Sequence, residues 1–318
     1  MNTEAPFVTL EDIRGASKRI QGFAYRTPTY KSFSLESAWL KLECYQPVRS
    51  FKIRGASNKI LSIPKSDLRK GIITASSGNH GLAVAYVANK LGVNATIVLP
   101  ETVIPEKLKM IKSLGARTIL FGRQQDERQR KAVEIQENEG QLFIQPFNDL
   151  AIIAGQGTCG LEIIEDLPEV ESVFVPIGGG GLISGVASAI KLEEKTRYVK
   201  VIGVQPEGSP SMYESWHKGE LVSIEQSKTI ADGLSVRRPG DITFAHVRKL
   251  VDEIVLVNDE EILDATARLL KEEHVMVEPS GAASFAALAK SKKTLGKSVA
   301  VISGGNISSE MLSKVVAR

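Results

Sequence analysis

Four consecutive glycines, Gly178-Gly179-Gly180-Gly181, separate an apolar strand pattern, Val173-Phe174-Val175, from an apolar helix pattern running from Leu182 to Leu192. A strand that turns at once into a helix gathers backbone N–H groups and the positive end of a helix dipole at one point, where an anion can bind. Glycine permits positive φ and lets the backbone approach a phosphate closely. A plain turn seldom uses four glycines, because each adds entropy to the unfolded chain. The run matches neither the GxGxxG of dinucleotide folds nor the GxxxxGK[ST] of nucleotide triphosphate loops. What it does impose is a strand, a tight loop and a helix, in that order.

The same order recurs along the chain. A helix is expected over Thr9 to Ile20, with Thr9 as N-cap and Asp12 as its first-turn partner, and Trp39 to Glu43 alternates like a strand. After Pro64, strands are expected at Ile72-Ile73-Thr74, Ala95 to Leu99, Thr118 to Phe121 and Leu142-Phe143-Ile144. Helices over Leu82 to Leu91, Pro105 to Leu114 and Asp126 to Asn138 lie between them. The second half repeats the pattern, with strands at Val201 to Val204, Ile254 to Val257 and Val299 to Ile302. Its helices run over Asp259 to Lys271, capped by Asn258, and Ser280 to Lys290. Such alternation predicts an α/β chain of two mostly parallel sheets, each covered on both faces, meeting at a cleft where a ligand binds. Residues 1–70 with 149–318 are expected to form a large domain, and 71–148 a small mobile one.

Composition narrows the classes of function. A chain of 318 residues has room for one large or two closely packed domains, and a net charge of +3 gives no electrostatic case for nucleic acid or an anionic membrane. Cys44 and Cys159 are in no CxxC pair, so two reduced, buried thiols are expected rather than a metal site or a disulfide. The first residues show no basic region followed by an apolar core, and no apolar stretch is long enough to span a bilayer. A cytoplasmic, soluble protein acting on a small molecule is expected.

Lys52 is the candidate reactive group. In Ser50-Phe51-Lys52-Ile53-Arg54-Gly55 its apolar neighbours Phe51 and Ile53 can hold the amine where water is scarce, which disfavours its charged form and suits it to Schiff-base chemistry. An imine-forming Lys together with a phosphate-binding loop points to pyridoxal phosphate. Two further loops follow strands. Ser76-Ser77-Gly78-Asn79-His80-Gly81 offers hydroxyls, an amide and N–H groups to a carboxylate or a ring oxygen, although Ser77 or Asn79 can equally serve as a helix cap. In Ser303-Gly304-Gly305-Asn306 the serine can meet a ring nitrogen or simply form a turn.

Taken together, the segments SFKIRGA, SSGNHG, GGGGLISG and SGGN closely resemble those of the pyridoxal-phosphate-dependent serine/threonine dehydratase and serine racemase family, of tryptophan synthase beta-like fold. The likeness extends to Ala154-Gly155-Gln156-Gly157-Thr158 and Ala231-Asp232-Gly233. It implies that Lys52 carries the cofactor, that Phe51 lies against its ring, that Asn79 bonds the ring hydroxyl and that Gly178 to Leu182 hold the phosphate. Ser303 would bond the pyridine nitrogen, and Gly233 and Glu278 would line the cofactor. Ser76, Ser77, Asn79 and His80 would form the substrate loop. It also implies a homodimer. A hydroxyl at the pyridine nitrogen makes a weaker electron sink than a carboxylate, so elimination of a β-hydroxyl to give a 2-oxo acid and ammonia is the expected reaction on L-threonine or L-serine. The amine of Lys52, once displaced, would take the α-proton.

Three departures qualify the resemblance. Ser77 stands where the dehydratases usually have Ala and the racemases have Ser, whose hydroxyl works on the face opposite the Lys; some racemase activity is therefore expected. The family's divalent-metal site is matched here by Gln205 and Ser211, with Glu207 the one nearby acid, so no metal site is expected, though a monovalent cation held by carbonyls fits. The chain ends soon after Asn306, so the regulatory domain of the biosynthetic threonine dehydratases, and feedback by isoleucine through it, is expected to be missing. Arg128 falls near a substrate-contacting Arg of the racemases, yet its charged helix predicts a solvated face; it would matter for a second carboxylate, as in 3-hydroxyaspartate. A serine or aspartate racemase and a 3-hydroxyaspartate dehydratase are the alternatives on the same machinery, while an amino-acid sensor without turnover would not keep Lys52.

Overall fold

The computed structural model of the chain describes residues 6–76, 78–122, 125–291 and 296–318. Helix α1 (Leu10–Arg19) opens on the expected cap: Thr9 Oγ1 accepts from the Asp12 N–H, and the Asp12 carboxylate accepts from the Thr9 N–H at 2.9 Å. Strands β1 (Thr29–Lys31) and β2 (Ala38–Leu42) lead to α2 (Lys52–Leu61) and the short α3 (Lys65–Leu68). Then β3 (Ile72–Ala75), α4 (Asn79–Leu91), β4 (Ala95–Leu99), α5 (Pro105–Ser113), β5 (Arg117–Leu120), α6 (Gln125–Glu139) and β6 (Leu142–Phe143) alternate. The chain continues through α7 (Leu150–Asp166), β7 (Ser172–Pro176), α8 (Gly181–Lys191), β8 (Lys200–Pro206), α9 (Ser211–Lys218) and α10 (Asp241–Leu250). It closes with β9 (Glu253–Val257), α11 (Asp259–Lys271), α12 (Pro279–Lys290), β10 (Ser298–Ile302) and α13 (Ser309–Val316).

Two sheets result. One is all parallel, in the order β5-β4-β3-β6. The other runs β1-β2-β10-β7-β8-β9 and is parallel apart from the antiparallel edge pair β1-β2. Every residue of β7 and of β10 is buried, as strands covered on both faces require. Alternate residues feed different cores: Phe174, Ile202, Ala300 and Ile302 face one, whereas Val173, Val175, Val201 and Val301 face the other. Helix α7 crosses α8 almost backbone to backbone, since a Cβ on Gly185 would lie 2.4 Å from the Gly157 nitrogen. No larger residue fits there without parting the helices.

Beneath α2 lies a cluster of buried ions. The Arg54 guanidinium donates to both oxygens of Glu43, each at 2.7 Å, and to both oxygens of Glu162, each at 2.7 Å. Lys41 Nζ joins it, 2.7 Å from Glu162 and donating to the Thr27 carbonyl at 2.7 Å. The arrangement ties α2 to the end of β2 and to α7. Cys44 and Cys159 are buried as free thiols, and burial pushes the Cys44 thiol up to about 12. Among the described residues no helix is long and apolar enough to cross a membrane.

Candidate active site

Lys52 is the first residue of α2, and its Nζ donates to the Pro146 carbonyl at 2.8 Å. The amine sits 5.2 Å from the centre of the Phe51 ring. Burial brings its pKa down to about 8, as its apolar setting predicts. The neighbours do not share this work equally. Phe51 borders the cavity, whereas Ile53 is fully buried in the core against α4. One step along a helix turns a side chain by about 100°, so sequence neighbours on α2 face different partners.

The glycine run ends in helix α8. Gly180, its N-cap, has φ of 93°, and no side chain caps the helix, which leaves the first-turn N–H groups to a ligand. The Gly179 carbonyl is drawn aside by the Thr243 hydroxyl at 2.7 Å. Gly179 borders the same cavity as Lys52, with the Phe147 ring against it: a Cβ on Gly179 would lie 2.5 Å from that ring. Gly178, Gly180 and Gly181 form the body of the loop behind it. The Leu182 side chain is buried in the core, so only its N–H, on the first turn of α8, is left to face an anion.

The loop before α4 supplies the facing wall. Ser77 lies outside the described residues. Ser76 borders the cavity, but its Oγ is committed to the loop, accepting from the N–H groups of Gly78 at 3.2 Å and Gly81 at 3.0 Å. Asn79 is not the helix cap: the N-cap position is Gly78 and Asn79 is the first helical residue. Asn79 Nδ2 donates to Glu278 Oε1 at 2.5 Å. The His80 ring is buried against the Ile144 carbonyl at 3.1 Å, and burial pulls its pKa down to about 3, so it is a neutral ring held by the backbone. Glu278 shifts the opposite way: burial, aided by Asp232, pushes its carboxyl up to about 7 against the pull of Lys107 and Asn79.

A turn between α9 and α10 supplies Gly233, whose N–H donates to Ser280 Oγ at 2.9 Å, and the end of β10 supplies Ser303. The Ser303 hydroxyl donates weakly to the Ser280 carbonyl at 3.4 Å, and its own carbonyl accepts from the Phe51 N–H at 3.1 Å. The loop after β10 is thereby joined to the lysine segment. Four residues crossing from β6 to α7 knit the rest together. Pro146 holds the amine and Phe147 covers the glycines, while Asn148 Oδ1 accepts from the Ile242 N–H at 3.0 Å. Asp149 caps α7 and pairs with Lys59 at 2.6 Å.

Three residues have a place that sequence reasoning did not give them. Arg128 was expected on a solvated face, but it is only 7% exposed and borders the cavity. The signal was its spacing from Ala132 and Ile135, both buried, which puts it on the apolar stripe of α6. Lys107 similarly lies four residues before the buried Ile111, and it reaches across the cavity to Asp232 at 3.2 Å. Phe147 carried no signal in its own neighbourhood. At the family's metal positions, Gln205 Oε1 accepts from the Tyr213 N–H at 2.9 Å and Ser211 Oγ donates to the Val236 carbonyl at 2.6 Å. Among the described residues no group of three or more His, Cys, Asp or Glu is gathered to hold a metal ion.

A poorly hydrated amine, an uncapped helix N-terminus and a serine hydroxyl thus share one cavity, which opens past Phe147 and Asp232 into a polar antechamber of about 820 Å³. These are the donors that an aldehyde bearing a phosphate and a ring nitrogen needs. A model of the pyridoxal-phosphate dependent enzymes matches residues 20–304. An L-threonine ammonia-lyase of Thermotoga maritima is 46% identical over 315 residues, covering 97% of this chain and 78% of that protein. The catabolic L-threonine dehydratase TdcB of Escherichia coli is 41% identical over 317 residues, 97% of this chain and 96% of that one. Maize serine racemase superposes with a TM-score of 0.91 at 35% identity, covering 98% of each chain.

Proposed function

The chain belongs to the family of pyridoxal-phosphate dependent enzymes, and from that premise we propose that it is a lyase acting on L-threonine or L-serine, releasing a 2-oxo acid and ammonia. The observation that carries this reading is the meeting of Lys52, the N-terminus of α8 and Ser303 in one cavity. When bound, pyridoxal phosphate supplies the sink for the electron pair left at the substrate's α-carbon. In this reading the N–H groups of Gly178 to Leu182 would hold the phosphate, and Gly233 and Phe51 would line the cofactor's ring. Asn79 would donate to the ring oxygen, with Glu278 behind Asn79, and Ser303 would share a hydrogen bond with the ring nitrogen without giving it full positive charge.

Lys52 then acts as the base. With a pKa of about 8 a useful fraction of its amine is unprotonated near neutral pH, and the Pro146 carbonyl keeps it oriented. Ser76 Oγ, already accepting from the Gly78 and Gly81 N–H groups, stiffens the loop that would take the substrate carboxylate, a loop that includes Ser77 and His80. Loss of the α-proton and the β-hydroxyl leaves an enamine, which hydrolyses to the 2-oxo acid and ammonia. The reading includes the large unit of residues 1–70 and 149–318, a small mobile unit of 71–148, a cytoplasmic location and a homodimer. Sedimentation of the purified protein tests the last.

A second reading is favoured by Arg128. A guanidinium on the cavity wall suits a substrate with a second carboxylate, and so a 3-hydroxyaspartate dehydratase or an aspartate racemase. Ser77 supports racemisation of serine beside elimination. One assay separates these: L- and D-serine, threonine and 3-hydroxyaspartate, each followed for 2-oxo acid and for product chirality. Release of 2-oxo acid from threonine and serine supports the first reading, preference for 3-hydroxyaspartate the second, and no turnover of any of them sinks both.

A further inference from the structure

We propose that Asn306 is a positioning residue that fixes which end of the Asn79 amide faces the cofactor cavity. Asn306 lies in the loop after β10 and is 6% exposed. Its Nδ2 donates to the Val48 carbonyl at 2.9 Å and to Asn79 Oδ1 at 2.8 Å. Its own Oδ1 is buried and meets no hydrogen-bond donor among the described residues. Both bonds of this amide therefore run through its NH₂ end.

The direction of the chain of bonds follows from its first member. A main-chain carbonyl can only accept, so Val48 requires the NH₂ end of Asn306 on its side. The second proton of that NH₂ group points at Asn79, which must answer with its oxygen. The Asn79 NH₂ group is then left facing Glu278, at 2.5 Å, and the cavity. A carbonyl outside the site thus dictates, through two amides, that the cavity meets a donor and not an acceptor. Turned the other way, Asn79 would set its oxygen against Glu278 and against any ring oxygen placed beside it, and neither contact is favourable unless a proton is added.

The inference rests on the reading of Asn79 as the partner of the cofactor's ring oxygen, and the test separates the two. The holoenzyme and its Asn306→Ala, Asn306→Asp, Asn79→Ala and Asn79→Ala/Asn306→Ala variants are compared for the visible absorbance maximum and for the Kd of pyridoxal phosphate, with circular dichroism and Tm to verify the fold. Asn306→Ala is expected to displace the maximum and raise Kd about fivefold to tenfold, the effect of one hydrogen bond lost. Asn306→Asp, of the same size but unable to donate, is expected to do at least as much, and it carries the test should the alanine variant not fold. In the Asn79→Ala background, removing Asn306 is expected to add nothing. Unchanged spectra and Kd in the folded Asn306 variants, or a full further shift in the Asn79→Ala background, overturn the proposal while leaving the role of Asn79 intact. An Asn79→Ala enzyme with an unaltered maximum and Kd overturns that role and the proposal with it.

Discussion

Two clusters of charge, one largely buried and one open to the cavity through Asp232, lie to either side of the start of α2, and they are built to opposite ends. Below the helix, Arg54 spends its guanidinium on Glu43 and Glu162, and Lys41 completes the set, so that two cations face two anions with their oxygens bonded. On the cavity side Lys107 reaches Asp232 rather than Glu278, and Glu278 is left with Asn79. Burial, aided by Asp232, leaves the Glu278 carboxyl up at about 7, and burial alone leaves the Lys52 amine on the same cavity down at about 8. Ions bonded directly to opposite charges hold a helix in place, whereas buried ionisable groups whose bonded partners are neutral, as those of Lys52 and Glu278 are, can exchange protons near physiological pH.

Substitution of each cluster tests this contrast. Lys52→Ala should have the largest effect, lowering turnover by at least about a thousandfold and removing the visible absorbance of the bound cofactor, both read in a spectrophotometer. Arg54→Met should cost about 3–5 kcal/mol by urea denaturation, because two carboxylates lose their buried partner. Glu278→Gln should act through pH. Since the folded-state pKa of Glu278, about 7, lies above its ordinary 4.5, the native state holds a proton that the unfolded state has released between those values. Stability of the apoenzyme should therefore fall as pH rises through that window, by roughly 3 kcal/mol, and the glutamine variant should show a flatter profile.

Smaller effects sharpen the contrast further. The rate at which apoenzyme takes up pyridoxal phosphate should rise about tenfold between pH 7 and pH 9 and level off above about 8, as the Lys52 amine loses its proton. Lys107→Met should alter stability by less than about 1 kcal/mol, because its partner Asp232 is half exposed. It should nevertheless move the Glu278 transition to higher pH, since a cation that favours the ionised carboxyl is gone. An Arg54→Met protein as stable as the parent, or a Lys107→Met protein as crippled in folding as expected for Arg54→Met, would erase the distinction.

Much of this architecture was legible in the residues. Caps gave away helix starts, as Asn258 and Glu261 do for α11 by bonding each other's backbone N–H groups. Short apolar runs marked most strands to within a residue or two. Strand β1 escaped because three residues carry no period, and α7 escaped because Gly155, Gly157 and Gly160 depress helix propensity. The reason for two of those glycines is tertiary: Gly157 meets Gly185 at backbone distance, and a Cβ on Gly155 would lie 2.6 Å from the Arg54 carbonyl. At the site, Lys52, Gly179, Asn79, Gly233, Glu278 and Ser303 were anticipated and border one cavity or its walls. Arg128 was misplaced because an overwhelmingly charged helix hides its single apolar stripe. Lys107 and Phe147 were missed because their partners, Asp232 and Gly179, are remote in the chain.

The run from Pro146 to Asp149 has a mechanical meaning. It is the stretch by which the chain leaves the four-stranded sheet for α7, and each residue grips a different neighbour: the amine, the glycines, the start of α10 and the start of α7. The Lys52 amine therefore takes its bearing from the carbonyl of a peptide that belongs to the crossing between the two sheets and not to its own helix. Any change in the path of that crossing would be felt at once by the base, the glycine loop and the starts of two helices.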